Sequence, residues 1–299
     1  MRAGPAQSRG PPQCATLSYT LATEESCGRR RSLVNHLRSQ HTDRQVVHVS
    51  GHSKWANIKI RKGAQDAKRG KVFTKMSKEI MVAARTGGGN PDFNPRLRLA
   101  IQKAREANMP RDNIDRAVKK GTGDLEGETL EEVVYEGYGP HGVALLIETL
   151  TDNRNRTAPE IRALLGKRGG NLGESGCVGW MFVTKGLVQV PAEGTDEDEL
   201  MMVALEAGAD DVKRSGDAFE VTSAPDAFMQ VQQALESGGF TITSAEVTRM
   251  PTTTVPLDAR TAPGVLRLLE DLEDLDDVQQ VHANFDVADE VLEAIAAAQ

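Results

Sequence analysis

Cysteine is scarce: the 299 residues hold three, and two of them, Cys14 and Cys27, lie in the first fifty. Only Cys177 is left for the folded body, so no disulfide framework can be drawn, and a reducing compartment is implied. No apolar run approaches the ~18 residues of a membrane-spanning helix or forms the core of a secretory signal, so no membrane partner is expected. Histidine is thinly spread. His52, His141 and His282 are far apart, and His48 and His52 are separated by Val-Ser-Gly, which is poor ligand spacing. Neither a metal site nor a cofactor is expected. Phosphate-cradling loops are missing too: Gly70-Lys71 is followed by Val72 rather than Ser or Thr, and Gly87-Gly88-Gly89 has no G-x-G-x-x-G spacing. With no nucleophile–base pair in view, no catalytic residue is assigned and the chain is not expected to be an enzyme.

What is present is charge, unevenly divided. Residues 50–123 carry 18 Lys+Arg against 6 Asp+Glu, a net of +12. Residues 124–299 carry 11 against 34, a net of −23, and residues 1–49 are +4, so the overall −7 hides a basic block joined to an acidic body. A surface with three cations per anion repels itself, and a bound polyanion would relieve that cost.

The basic block reads as helices. Phe73, Met76, Ile80 and Ala84 repeat at helical spacing. Glycines 87–89 then break the chain, Asn94-Pro95 form an N-cap and first position, and Leu97, Ile101 and Ala104 make a second stripe. Pro110 opens a third helix with Ile114 and Val118 inside, and Gly121 fits its stop. Residues 51–60 read as an arm, with Trp55 as an anchor that either staples the arm or stacks on a base. The nominated contacts to nucleic acid are Lys54, Trp55, Lys59, Arg61, Lys62, Lys68, Arg69, Lys71, Lys75, Arg96 and Arg98. With Trp55, Phe73 and Phe93 as the block's large aromatics, stacking on unpaired bases is not expected to be the main contact.

Residues 1–49 are rich in Pro, Gly, Ser and Arg without period, and disorder is expected for roughly the first 48. They read either as a mitochondrial transit segment or as upstream translation ahead of a start at Val49, and the second reading is preferred. After a polar linker come strands at Val133–Tyr138 and Val143–Leu150, a helix opened by Thr157-Ala158-Pro159, and a strand at Cys177–Val183. From Leu187 to Met250 the order strand, helix, strand, strand, helix, strand is that of a ferredoxin-like split βαβ module. The tail, strand Thr252–Leu257, helix Ala262–Leu275 and strand Val278–Phe285, is expected to return to the sheet begun at Val133. The fold class is therefore α+β. A leader (1–49) precedes a basic helical domain (50–125), then a discontinuous α/β domain (126–186 plus 251–299) with a ferredoxin-like domain (187–250) inserted. TDNRNRT at 151–157 places Arg154 and Arg156 in an otherwise acidic region, either as an Asp–Arg turn network around Asp152 or as a second phosphate contact. An enzyme reading would make this loop an anion site between the two α/β domains.

GHSKWANIK, QDAKRGKVFTK, YEGYGP, TDNRNRT and the GG-N-L…W-M-F…KG pattern together resemble the YebC/PmpR family from Ser50 onward. The resemblance implies a helical domain followed by two α/β domains, a cytoplasmic location, and a DNA-binding transcriptional regulator. Relatives acting in translation at the ribosome imply ribosomal or transfer RNA as the alternative partner. The acidic domains are expected either to face a protein partner or to repel unwanted nucleic acid. Two positions depart from the family: His141, in a turn where glycine is usual, and Cys177, where serine is usual.

Overall fold

The computed structural model describes residues 69–126 and 129–298. The described residues all belong to one compact unit. The expectations for the leader and for the arm around Trp55 lie outside the described residues.

Three helices open the described chain: α1 (Arg69–Gly87), α2 (Pro95–Glu106) and α3 (Arg111–Thr122). α1 ends where Gly88 takes φ +86°, a conformation glycine adopts without steric cost. Asn94 then caps α2, its side chain accepting from the Leu97 amide at 3.1 Å, with Pro95 at the first helical position. α3 stops at Gly123, φ +88°, two residues beyond the expected Gly121. Gly121 serves instead as a close crossing point: a Cβ there would sit 2.7 Å from Ala84 Cβ and against the Met81 carbonyl oxygen. The stripes meet as read, with Ile80, Leu97, Ala104 and Ile114 buried together. Leu130 and Leu150 join this cluster, so the helices share their core with the start and end of the first hairpin.

That hairpin is β1 (Glu131–Tyr138) and β2 (Ala144–Thr151), paired antiparallel. β2 is central, between β1 and β9 (Val278–Ala283), which explains its near-continuous apolar run. β3 (Asn171–Leu172) adds a short edge to β1. Helices α4 (Arg154–Lys167) and α7 (Ala262–Glu273) contribute Ile161, Leu165, Leu266, Leu269 and Leu272 to the core of this sheet. The tail departs from expectation in one respect. Only β9 returns to the first sheet; β8 (Val255–Leu257) pairs in parallel with β10 (Phe285–Val287) as a separate two-stranded ribbon. Pro256 lacks an N–H, which confines β8 to an edge. The buried Asn284 ends β9, its Oδ1 accepting from the Ala144 amide at 2.7 Å and its carbonyl from the Val255 amide at 2.7 Å. The chain closes with α8 (Asp289–Ala298).

The second four-stranded sheet is β4 (Phe182–Pro191), β5 (Ala209–Ser215), β6 (Ala218–Ser223) and β7 (Ser244–Pro251), ordered β5-β6-β4-β7 and antiparallel throughout. With α5 (Glu197–Glu206) and α6 (Phe228–Ser237) packed against it, this is the split βαβ order expected for the inserted module.

Cys177–Met181 is not a strand, although its residue types favour one. The cause is Glu136 on β1. Its carboxylate accepts from the amides of Gly176, Val178 and Gly179 at 2.7, 2.7 and 2.6 Å, winding the segment into a turn around it. Burial alone would raise the Glu136 carboxyl, but these three donors outweigh it and hold it below the ordinary carboxylate range. Cys177 is a half-buried thiol whose pKa burial pushes up.

His141 adopts φ +61°, a region disfavoured for any residue with a Cβ. His141→Gly is expected to raise stability by up to about 1 kcal/mol, seen as a small rise in thermal midpoint; a fall would show that the imidazole makes compensating contacts.

Candidate nucleic-acid interface

The cations of the basic block separate into two groups. The first group holds the helices to the body. On α1, Lys71 Nζ donates to the Asp274 carbonyl at 2.9 Å, Lys75 Nζ to the Glu273 carbonyl, and Lys78 Nζ to the Asp276 carbonyl at 3.1 Å. Glu273 and Asp274 end α7, whose last carbonyls have no intrahelical partner and lie at the negative end of the helix dipole. Lys71 and Lys75, one helical turn apart, thus cap another helix, and Lys78, the next turn on, holds the segment that follows it. Burial lowers the Lys75 pKa, partly opposed by the carboxylates of Glu273, Asp274 and Asp276.

Asp277 is the hub of this contact. It is 4% exposed. Its Oδ1 accepts from Lys78 at 2.8 Å, and its Oδ2 from Arg156 at 2.6 Å, Thr157 at 2.8 Å and Thr151 at 3.2 Å. Burial would raise its pKa, but donation from Arg156, Lys78 and Thr157 prevails and lowers it to about 2.

Arg156 and Arg154 stand in the first turn of α4, after the Asn153 cap, rather than in a loop. Cations at a helix N-terminus oppose the dipole, and each has an acidic partner that offsets this. Arg156 pairs with Asp152 at 2.8 Å and with Asp277, and Arg154 with Glu131 at 2.5 Å. Of the two readings of TDNRNRT, the Asp–Arg network is the geometry found, widened to the distant Asp277.

Other nominated residues are also engaged. Arg96 bridges Glu79 at 2.8 Å and Glu132. Arg98 donates from Nε to the Pro91 carbonyl at 3.0 Å and from Nη2 to the Asp92 carbonyl at 2.7 Å, fastening the α1–α2 loop. Lys103, which was not nominated, likewise pairs with Glu246 on β7 at 2.8 Å. Arg69 begins α1; Lys54, Trp55, Lys59, Arg61, Lys62 and Lys68 lie outside the described residues.

The second group faces solvent on α2 and α3. Arg105, Arg116 and Lys119 are exposed, and together with the partly exposed Lys120 they have no side-chain hydrogen bond or ion pair among the described residues. Arg111 has only a long contact to Asp115 at 3.8 Å, and its side chain is 90% exposed. Arg105, Arg111 and Lys119 line a groove of about 590 Å³ between α2 and α3, with Ile101 and Val118 among its apolar lining and Pro91 of the α1–α2 loop beside them. None of these cations was nominated from sequence. The signal lay in the same block, but which cations are tied to the body depends on where α1 docks.

Among the described residues no group of three or more His, Cys, Asp or Glu could hold a metal, and no helix is long and apolar enough to cross a membrane.

A helical block bearing solvent-facing cations, joined to two antiparallel sheets of which one is a split βαβ module, defines a modular α+β protein with a cationic helical face. The chain belongs to the TACO1/YebC family: residues 53–124 match the model of its N-terminal domain and residues 130–285 that of its second and third domains. It is 56% identical over 248 residues to a "probable transcriptional regulatory protein" of Dictyoglomus turgidum, covering 83% of this chain and all of that one. A protein of the same description from Geobacter sulfurreducens is 56% identical over 247 residues, again covering 83% of this chain and all of the relative. A crystal structure of a conserved hypothetical protein from Aquifex aeolicus is similar with a TM-score of 0.69 at 51% identity, covering 76% of this chain and 94% of that chain.

Proposed function

We propose that this chain is a nucleic-acid-binding regulator of gene expression, acting on DNA in transcription through its basic helical domain and without a catalytic step of its own. The observation that carries the reading is the cluster of Arg105, Arg111, Arg116, Lys119 and Lys120. These cations face solvent on two adjacent helices, while Lys71, Lys75 and Lys78 of α1 already donate to the body. The name shared by the relatives, probable transcriptional regulatory protein, supports the regulatory half. Lys54, Lys59, Arg61, Lys62 and Lys68 extend the same block and belong to the proposal. Lys71, Lys75, Arg96, Arg154 and Arg156 would have to release intramolecular partners to reach a phosphate. The acidic body is a surface for a protein partner.

The test is a titration of the full chain with duplex DNA and with ribosomal RNA across salt. Four to five phosphate contacts give a slope near −4, so affinity for duplex DNA should fall by about two orders of magnitude between 50 and 200 mM salt. Binding of neither polymer at low salt overturns the proposal. Binding of ribosomal RNA alone replaces transcription with translation as the process regulated.

A further inference from the structure

Phe93 is 84% exposed, an unusual position for a large ring. Its loop is not slack. Asn94 is buried and donates from Nδ2 to the carbonyls of Ala83 at 2.8 Å and Gly88 at 2.9 Å, tying the loop to the end of α1. Arg98 grips the loop from the α2 side through the carbonyls of Pro91 and Asp92. The Asp92 amide donates to Asn90 Oδ1 at 2.9 Å, closing the turn from within. A rigid loop therefore holds an apolar ring in water. The same loop contributes Pro91 to the wall of the groove that carries Arg105, Arg111 and Lys119.

We propose that the α2–α3 groove with Phe93 is a site for an unpaired nucleic-acid strand: Arg105, Arg111 and Lys119 hold successive phosphates, and one base stacks on the Phe93 ring. This rests on the nucleic-acid reading above and narrows it. In a duplex the base faces are occupied by their neighbours, so the ring gains nothing there; an unpaired base has a free π-face, and stacking is tolerant of sequence. Covering the ring with a base also removes apolar surface from water without disturbing the loop, whose hydrogen bonds are already made. A single ring makes this one stacking position rather than a continuous platform.

The test compares the full chain with Phe93→Ala and Phe93→Trp, using a fluorescent twelve-nucleotide single strand and its duplex at equal salt. Phe93→Ala should weaken single-strand binding about tenfold, leave duplex binding unchanged and keep the salt slope, because no phosphate contact is lost. Phe93→Trp should retain single-strand affinity, and its indole emission should be quenched by the single strand. Circular dichroism verifies that both variants fold. Equal loss for single strand and duplex, or no loss for either, overturns the stacking site while leaving the broader nucleic-acid reading standing. Absence of binding to both polymers by the unsubstituted chain removes the broader reading as well.

Discussion

Asp277→Ala is expected to lower stability by about 3 kcal/mol, a fall of roughly 6–12 °C in thermal midpoint for a body of this size. One carboxylate receives α1 through Lys78, α4 through Arg156 and Thr157, and β2 through Thr151. Removing it leaves the Lys78 ammonium, whose side chain is 11% exposed, with carbonyl oxygens only, and breaking a buried pair costs more than the pair itself contributes. The folded pKa of about 2 lies below the ordinary value of 3.8. This contribution, roughly 2 kcal/mol, is therefore complete above pH ~4 and drains away as pH falls towards 2. Acid melts of the parent chain and of Asp277→Asn check it: the parent should lose stability over that window, and the variant should already lack the increment at pH 7. Equal midpoints at neutral pH would show that the Asp277 carboxylate adds nothing to the hold on the helical block.

The second large effect belongs to Gly121→Ala. On helix propensity alone, alanine in the last turn of α3 should stabilise by up to about 1 kcal/mol. The crossing with α1 reverses the sign, because the new methyl would meet the Met81 carbonyl oxygen and Ala84 Cβ, the latter at 2.7 Å. Backbone cannot swing aside as a flexible side chain can, and overpacking of this kind costs 1–3 kcal/mol or more. A net loss of about 2 kcal/mol is expected in a denaturant melt. A gain of about 1 kcal/mol would mean that the two helices stand farther apart than the structure has them.

The elements with strong period were legible in the sequence because their pattern is local. The apolar stripe from Phe73 to Ala84, the Asn94 cap and the βαββαβ order after Leu187 were all read without knowing what lay opposite. The failures share one cause, a partner distant in the chain. Cys177–Met181 has strand-forming residues, yet Glu136, some forty positions earlier, draws three of the segment's neighbouring amides to its carboxylate. Val278–Phe285 reads as one strand until Asn284 pairs across to Ala144. Gly121 passes for a stop signal because nothing in α3 shows that α1 crosses there.

The candidate site follows the same rule. Counting charges located the basic block but could not sort it. Lys71, Lys75 and Lys78 look no different in sequence from Arg116 and Lys119, and only the docking on the end of α7 separates them. The α1 lysines take part in folding, Lys71 and Lys75 as C-terminal caps supplied from another helix, whereas Arg105, Arg111, Arg116 and Lys119 of α2 and α3 face solvent. Specificity is not built into such contacts, since phosphates are the same along every sequence.

The measurement that tests this division most directly is the salt slope of nucleic-acid affinity for the full chain and for Arg105→Ser/Arg111→Ser/Arg116→Ser/Lys119→Ser, four exposed positions whose loss leaves the helical core intact. The slope on duplex DNA should be shallower by about 3 to 4, near 0.9 for each phosphate contact removed, with an unchanged thermal midpoint. An undiminished slope in a folded variant would contradict it, placing the phosphate contacts elsewhere in the chain.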